Sequence, residues 1–140
     1  MPAFHLSLHV SDLAATRDFY GRVLGCTEAA CAPDWVDFDF FGHQLSLHRG
    51  APGGDSGAGT VDGQAVPMPH FGVVMAMPEW RALAERLRAA GVAFVLEPQV
   101  RYAGSPREQG TFFVRDPSRH ALEFKAMSQP SQLFEPAVHD

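Results

Sequence analysis

A chain of 140 residues, 46% of them hydrophobic, fits one domain with a sizeable core. Its net charge is −5 and it has no stripe of Lys and Arg residues, which argues against a nucleic-acid partner. No apolar run approaches the roughly 20 residues that span a bilayer, and residues 1–5 lack the charged and apolar regions of a signal peptide. We therefore expect a cytoplasmic protein in which Cys26 and Cys31 stay reduced.

The first half of the chain is predicted to form a strand, a helix and three further strands. Residues 4–10 alternate between apolar and polar side chains, which is typical of a strand with one buried face. A helix follows, because Ser11-Asp12 can cap its first turn and Gly25 suits its end. The next strands are predicted at residues 26–31, 35–41 and 44–48, with Gly42-His43 as the tight turn between the last two.

The second half repeats this order. A strand is predicted at residues 70–76, and Pro78 is well placed at the N-terminus of a helix that ends at Gly91. Three further strands are predicted at residues 92–96, 111–115 and 121–125, with residues 116–119 as the turn between the last two.

The repeat predicts an α+β fold of two βαβββ units, at about residues 3–49 and 68–127 of a single domain, 1–127. His5 lies 20 residues before Gly25 and His70 lies 21 residues before Gly91, so the two histidines occupy equivalent places. The Gly-rich stretch 50–67 is predicted to be a flexible linker, and residues 128–140 a tail of little periodicity.

Three residues on the polar side of predicted strands carry most of the functional information: His5, His70 and Glu123. A buried polar strand face is costly unless it lines water, a ligand or a metal. Two histidines and one carboxylate are the ligand set of a mononuclear metal site with open positions, and they suit Fe(II) or Mn(II). We therefore predict a divalent metal as cofactor.

Several motifs stand on the predicted elements: His5 with Asp12, Phe19-Tyr20-Gly21-Arg22-Val23-Leu24-Gly25, Trp35 to Gln44, Pro69 to Val74, Leu87 to Val92, and Asp116-Pro117-Ser118-Arg119-His120-Ala121-Leu122-Glu123. Through these motifs the sequence resembles the vicinal oxygen chelate superfamily, which contains glyoxalase I, bleomycin-resistance proteins, fosfomycin-resistance transferases and type I extradiol dioxygenases. The resemblance covers about residues 4–126, and within the superfamily the sequence is most similar to small bacterial proteins described as predicted extradiol-type dioxygenases.

The resemblance implies that each unit curls its sheet and that two units pair into a metal-binding cleft. Ligands in this superfamily come from the first strand of each unit and the last strand of one or both, which are the places of His5, His70 and Glu123. Ser46 stands where glyoxalase I has a glutamate, so three protein ligands are expected. Superfamily members often pair units between two chains, so we expect a homodimer in which His5 can come from a different chain than the other two ligands.

Further polar residues are candidates around such a site. His9 shares a face with His5, and His48 shares one with Ser46; each is either an acid/base near the substrate or a wall residue without a chemical role. Asp37 and Asp39 alternate with apolar residues on one strand. These two carboxylates could bind substrate or hold a histidine in one tautomer, or they could face solvent. Ser46 is a further candidate for binding substrate.

A long predicted loop, residues 99–110, could cover a substrate. Arg101 or Arg107 in this loop could pair with a substrate carboxylate or phenolate, or the loop could carry ordinary exposed charges. Extradiol enzymes of the family have a tyrosine ten positions before the ligand glutamate, where it bonds the substrate oxygen. Here that place is Phe113, so Tyr102 would have to supply the hydroxyl.

These observations leave three hypotheses, all with a small-molecule substrate or ligand. The first is an Fe(II) extradiol-type dioxygenase that acts on a catechol-like or other vicinal-oxygen compound. The second is a glyoxalase-like isomerase or thiol transferase that uses Mn, Zn, Ni or Co as a Lewis acid. The third is a non-catalytic binding or resistance protein that sequesters an aromatic compound in a metal-free cleft.

Overall fold

The computed structural model describes residues 1–54, 57–61 and 63–136 of the chain. In the first half lie β1 (His5–Val10), α1 (Leu13–Arg17), a π-helical segment (Asp18–Val23), β2 (Thr27–Ala32), β3 (Trp35–Phe40) and β4 (His43–Arg49). The remainder has β5 (Gly57–Val61), β6 (Gln64–Met68), β7 (His70–Ala76), α2 (Met77–Ala89), β8 (Phe94–Arg101), β9 (Gln109–Arg115), β10 (Ala121–Met127) and a 3-10 helix (Pro130–Phe134). None of the helices in these ranges is long and apolar enough to cross a membrane. Residues 137–140 of the predicted tail lie outside the described residues.

The two halves of the chain build sheets of the same strand order. The first sheet runs β1-β4-β3-β2 and the second runs β7-β10-β9-β8. In each sheet a helix follows the first strand in sequence, and the last strand returns to lie beside the first. The α+β fold of two βαβββ units is therefore confirmed. By packing, the first compact unit contains residues 1–70 with 115–121, and the second contains residues 71–114 and those from 122 onward.

In the first sheet, β1 and β4 are parallel and in register, so that His5 lies opposite Gln44, Ser7 opposite Ser46 and His9 opposite His48. Strand β3 runs antiparallel to β4 and places Asp37 opposite Ser46. Because side chains alternate along a strand, these polar residues share one face of the sheet. The other face is apolar and buried, and its side chains include Val36, Phe38, Leu45 and Leu47.

The turn between β3 and β4 differs by one residue from the prediction. Phe41 and Gly42 both have positive φ, of 52° and 91°, as the two-residue turns that suit a twisted hairpin require. The turn predicted from the sequence is Gly42-His43. The difference matters because it determines the register: the observed turn puts Asp37 opposite Ser46, whereas the predicted turn would have put it opposite His48.

The helical segment after β1 covers the apolar face of the first sheet. Asp12 caps it as predicted, since its Oδ1 accepts the backbone N–H of Ala15 at 3.0 Å. The second part is π-helical, and Leu24 donates to the carbonyl of Phe19, five residues back, at 2.8 Å. Tyr20 from this part is fully buried and packs against the rings of Phe38 and Phe40.

The turn between β9 and β10 belongs by packing to the first unit. The hydroxyl of Tyr20 donates to Asp116 Oδ2 at 2.8 Å, and Ser118 Oγ accepts the backbone N–H of Ser11 at 3.0 Å. His120 Nε2 donates to the carbonyl of His9 at 2.7 Å. Burial and the neighbouring Asp116 carboxylate raise the pKa of Tyr20 well above its usual value, so this phenol stays protonated.

In the second unit, α2 covers the apolar face of the second sheet. Pro78 lies in its first turn as predicted. Trp80 anchors the helix: the side chain is 2% exposed, and its Nε1–H donates to the carbonyl of Phe124 at 2.8 Å. The ring lies so close to Gly110 that a Cβ there would meet it at 2.8 Å. Phe112 and Phe124 stack beside it and complete this core.

Two predicted loops are more regular than expected. The stretch predicted to be a flexible linker contains the β5–β6 hairpin, in which Val66 is buried and Met68 lies over Gly59. The described part of this stretch pairs as a hairpin, because a Gly-rich segment can still form strands when a few apolar side chains find partners. Strand β8 also continues to Arg101, so the loop between β8 and β9 spans only residues 102–108.

Candidate functional site

The first predicted ligand, His5, stands at the start of β1 on the exposed part of the polar face. Its Nδ1 lies 2.8 Å from Gln44 Oε1, and its Nε2 lies 3.2 Å from Ser7 Oγ. The parallel register of β1 and β4 brings Gln44 opposite His5. The imidazole is thus held on both sides by neighbours of the same sheet face.

A chain of hydrogen bonds continues from Gln44 across the sheet. Gln44 Nε2 donates to Asp37 Oδ2 at 2.9 Å, and Ser46 Oγ donates to Asp37 Oδ1 at 2.6 Å. Ser46 Oγ also lies 3.1 Å from His48 Nε2. Asp37 and Ser46 are 7% and 6% exposed, so both are buried although they lie on the polar face of the sheet. The four residues Gln44, Asp37, Ser46 and His48 are called the Asp37 network below.

This network unites three of the residues that the sequence singled out, Asp37, Ser46 and His48, and connects them to His5. Gln44 is not among the site residues predicted from the sequence, although it alternates with Ser46 and His48 on β4 and so lies on their face. Asp39 lies on the same face but is exposed, and its Oδ1 accepts the backbone N–H of Gly42 at 2.8 Å. Its observed bond therefore supports the β3–β4 turn.

His9, the other histidine on β1, is exposed, and its ring packs on Gly50, where a Cβ would lie 2.8 Å from Cδ2. His48 is half-buried beside Trp35, with ring centroids 6.1 Å apart and an interplanar angle of 31°. His48 is therefore the more firmly positioned of the two histidines proposed for acid/base work.

His70, the second predicted ligand, is the first residue of β7 and is half-buried. Its Nδ1 lies 2.7 Å from the carbonyl oxygen of Pro67. A carbonyl only accepts hydrogen bonds, so Nδ1 carries the proton and the neutral ring has its lone pair on Nε2. A backbone acceptor at the second nitrogen is the common arrangement for a histidine that binds metal.

Glu123, the third predicted ligand, lies in the second unit on β10 and is half-buried. Thr111 on β9 donates its hydroxyl to Glu123 Oε2 at 2.6 Å. Gly72 on β7 lies against the backbone of Glu123, and an added Cβ would meet its carbonyl oxygen at 1.6 Å. The glutamate is thus positioned by a side-chain donor and by close approach of a neighbouring strand.

Phe113 shares a face of β9 with Thr111, two residues away, and is 1% exposed. Its ring has no hydroxyl to offer. Arg101 is the last residue of β8, opposite Gln109, and not part of the loop. Tyr102 begins the loop with a positive φ of 54° and is 51% exposed, and the guanidinium of Arg107 lies 4.9 Å from the centre of its ring.

Within the ranges that the structure describes, no group of three or more His, Cys, Asp or Glu side chains is arranged as a metal site. The three predicted ligands are therefore compared by the hydrogen-bond partners that each one has. His70 has a backbone acceptor on Nδ1 and Glu123 has a hydroxyl donor, which are partners that metal ligands commonly have, while His5 is hydrogen-bonded to Gln44 and Ser7.

Residues 3–124 match the family model of the glyoxalase/bleomycin resistance protein/dioxygenase superfamily. A solved glyoxalase/bleomycin resistance protein/dioxygenase from Alicyclobacillus acidocaldarius is 31% identical, with 95% of this chain and 96% of that chain covered and a TM-score of 0.73. The chain belongs to this superfamily.

More distant solved structures share the fold. A glyoxalase/bleomycin resistance protein/dioxygenase from Nocardioides is 22% identical, with 98% of this chain and 90% of that chain covered and a TM-score of 0.66. The fosfomycin resistance protein FosX from Listeria monocytogenes is 20% identical, with 95% and 98% covered and a TM-score of 0.66. No curated protein matches the sequence.

Proposed function

We propose that the protein is a divalent-metal-dependent enzyme in which His5, His70 and Glu123 hold the metal. The donor set supports this: two imidazoles and a carboxylate, of which His70 is hydrogen-bonded through Nδ1 to the carbonyl of Pro67 and Glu123 accepts the hydroxyl of Thr111. Superfamily membership supports it as well, since all three stand at the strand positions that supply ligands in the resembling proteins.

The observation that carries the choice of reaction is the hydrogen bond of Ser46. Its hydroxyl is buried and donates to Asp37 Oδ1 at 2.6 Å within the sheet, which favours three protein ligands over four. Three protein ligands leave three coordination positions, the number that a chelating substrate and O₂ require. We therefore propose an Fe(II) extradiol-type dioxygenase acting on a catechol-like or other vicinal-oxygen compound.

Bound Fe(II) would supply adjacent positions for two substrate oxygens and for O₂, and would pass electron density between them. The chain's own residues would orient the substrate and handle protons. His48 is suited to the second task, since the Asp37 network fixes its ring and Trp35 packs beside it. Arg101, Arg107 and Tyr102 are the candidates for contact with an anionic or aromatic part of the substrate.

A second candidate function follows from Phe113. It is buried and has no hydroxyl to bond a substrate oxygen, and Tyr102 is engaged with Arg107 in an exposed loop. This favours chemistry in which Mn, Zn, Ni or Co acts only as a Lewis acid, as in a glyoxalase-like isomerase or thiol transferase. A metal-free binding or resistance protein remains the third alternative, distinguished by metal content.

The deciding experiment is anaerobic purification followed by elemental analysis and a screen of catechols with an oxygen electrode. Iron at one equivalent per chain with oxygen consumption supports the dioxygenase. Another metal without oxygen consumption supports the Lewis-acid enzyme, and a metal-free protein that binds aromatic compounds supports the third alternative.

The ligand set itself is tested by His70→Ala and Glu123→Ala, which should lose bound metal while keeping the fold. His120→Ala and Glu97→Ala are the matched controls, because His120 bonds a backbone carbonyl and Glu97 forms an exposed pair with Arg88. Wild-type metal content in both ligand variants would contradict the proposal.

We also propose that the protein is a homodimer, as the superfamily resemblance implies. Sedimentation velocity tests the assembly. Mixed dimers of His5→Ala and Glu123→Ala chains, isolated with two affinity tags, distinguish the arrangements: one metal per dimer places His5 and Glu123 of a site on different chains, and no metal places them on one chain.

A further inference from the structure

We infer that Asp37 is a positioning residue whose single carboxylate fixes the tautomers of two histidines, His5 and His48. The inference deepens the proposed function, because it assigns the ligand nitrogen of His5, and it rests on that proposal only for the metal. The hydrogen bonds themselves lie within one sheet of the first unit.

An ionised carboxylate at Asp37 can only accept hydrogen bonds. Gln44 must therefore turn its amide NH₂ toward Asp37 Oδ2, at 2.9 Å, and this leaves its amide oxygen facing His5. That oxygen is also only an acceptor, so His5 Nδ1, 2.8 Å away, must carry the proton. In the neutral ring the lone pair then lies on Nε2, where Ser7 Oγ at 3.2 Å can donate to it.

The hydrogen bonds of Ser46 on β4 determine the tautomer of His48 in the same way. The hydroxyl of Ser46 has one proton, and the short 2.6 Å contact with Asp37 Oδ1 takes it. Ser46 Oγ is then an acceptor toward His48 Nε2 at 3.1 Å, so that this nitrogen carries the proton of His48 and Nδ1 carries the lone pair. One buried carboxylate thus gives the two histidines opposite tautomers: Nδ1–H for His5 and Nε2–H for His48.

The assignment has a chemical consequence for the proposed site. His5 and His70 would both present Nε2 to a metal, each with its Nδ1–H bonded to an oxygen, while His48 would present Nδ1 as its basic nitrogen. The observed hydrogen bonds of Asp37 go to Gln44 and Ser46, not to either histidine. Asp37 acts through Gln44 and Ser46, which explains why a carboxylate is buried on this face.

The test is ¹⁵N NMR of the histidine side chains in metal-free protein, at a pH where the imidazoles are neutral. Long-range proton–nitrogen spectra distinguish the protonated ring nitrogen from the one with the lone pair. Wild type should show Nδ1–H for His5 and Nε2–H for His48. Because no metal is present, this result is independent of the proposed activity, and the reverse tautomer at either histidine would overturn the inference.

Asp37→Asn is the decisive variant, because an asparagine offers one acceptor oxygen where the network needs two. If the amide oxygen faces Ser46, the amide NH₂ faces Gln44, so Gln44 flips and His5 changes tautomer. If it faces Gln44, Ser46 loses its acceptor and donates to His48, which then changes instead. We expect one of the two histidines to switch. Asp39→Asn, on the same strand face but bonded to Gly42, should switch neither.

Two further variants test separately the hydrogen bonds that lead from Asp37 through Gln44 to His5 and those that lead through Ser46 to His48. Gln44→Met should release His5 to a mixture of tautomers and leave His48 unchanged, and Ser46→Ala should do the reverse. Gln44→Met should also weaken metal binding by about 10- to 100-fold, the usual effect of losing a partner of a ligand histidine. Unchanged tautomers of both histidines in Asp37→Asn and Gln44→Met would overturn the inference, whereas unchanged metal binding alone would instead count against His5 as a ligand.

Discussion

A Cβ added to Gly72 would lie 1.6 Å from the carbonyl oxygen of Glu123. Strand β7 therefore approaches β10 so closely at this point that only glycine fits. The contact is to backbone, which cannot swing aside as a long side chain can, so the position of Glu123 depends directly on the size of residue 72.

Gly72→Ala should therefore destabilise the protein by about 1–3 kcal/mol, the usual cost of forcing an extra carbon into a packed site. It should also weaken metal binding, because the shift is imposed on a proposed ligand. Denaturant unfolding and metal titration measure the two effects. Gly53→Ala, which adds a methyl group with nothing within 4 Å, is the control. Wild-type stability in Gly72→Ala would contradict the close approach.

Thr111→Val tests the hydroxyl that bonds Glu123 Oε2 at 2.6 Å. The substitution keeps the shape of the side chain and removes the donor, so the carboxylate loses its orientation. We expect metal affinity to fall by about 10- to 100-fold with only a small change in unfolding free energy. Thr27→Val, on the exposed strand β2, should change neither quantity. An unaltered metal dissociation constant in Thr111→Val would argue against Glu123 as a ligand.

Tyr20→Phe should cost about 1–3 kcal/mol near neutral pH, because it removes a buried hydrogen bond and leaves Asp116 Oδ2 without its donor. The pKa of Tyr20 is raised in the folded protein, so its contribution to stability is complete below the unfolded value of about 10 and is lost as pH rises above it. Above that pH the unfolded state binds fewer protons than the native state, and stability falls by up to about 1.4 kcal/mol per pH unit.

The difference in unfolding free energy between wild type and Tyr20→Phe should therefore shrink as pH rises past about 10. Parallel urea titrations at several pH values measure it. Tyr102→Phe is the control, because Tyr102 is 51% exposed. A difference that stays constant with pH would show that the phenol ionises equally in both states.

Asp12→Ala should destabilise the protein by about 1 kcal/mol, since Asp12 Oδ1 accepts the backbone N–H of Ala15 in the first turn of the helical segment. Asp12→Asn, which retains an acceptor, should recover most of this loss. Chemical denaturation of the three proteins is the measurement. Equal stability of the alanine and asparagine variants would show that the cap contributes little.

Much of the fold could be predicted from the sequence because its signals are local. Strict alternation at residues 4–10 fixed which side chains of β1 are polar, and Asp12, Pro78, Gly25 and Gly91 bounded the helices. The positions of His5, His70 and Glu123 on their strands followed from the same alternation and from the repeat. Their role as ligands stays a prediction.

What escaped prediction depends on register. Gln44 was missed because its importance arises from lying opposite His5 and within reach of Asp37, and neither relationship is local in sequence. Counting outward from a turn at Phe41-Gly42 would have paired Asp37 with Ser46, but the turn was placed one residue late. Thr111 was missed for the same reason, since its partner Glu123 is on the neighbouring strand.

The hydrogen bond from Tyr20 to Asp116 also has consequences for folding during synthesis and for fragments of the protein. During translation the N-terminal half leaves the ribosome without residues 115–121, so its buried phenol must wait for nearly the whole chain before it finds its acceptor. A gene fragment that ends at the β5–β6 hairpin would encode a first half without residues 115–121, which belong to its compact unit. The two repeats have the same strand order, yet the compact first unit includes a segment from the second half of the chain.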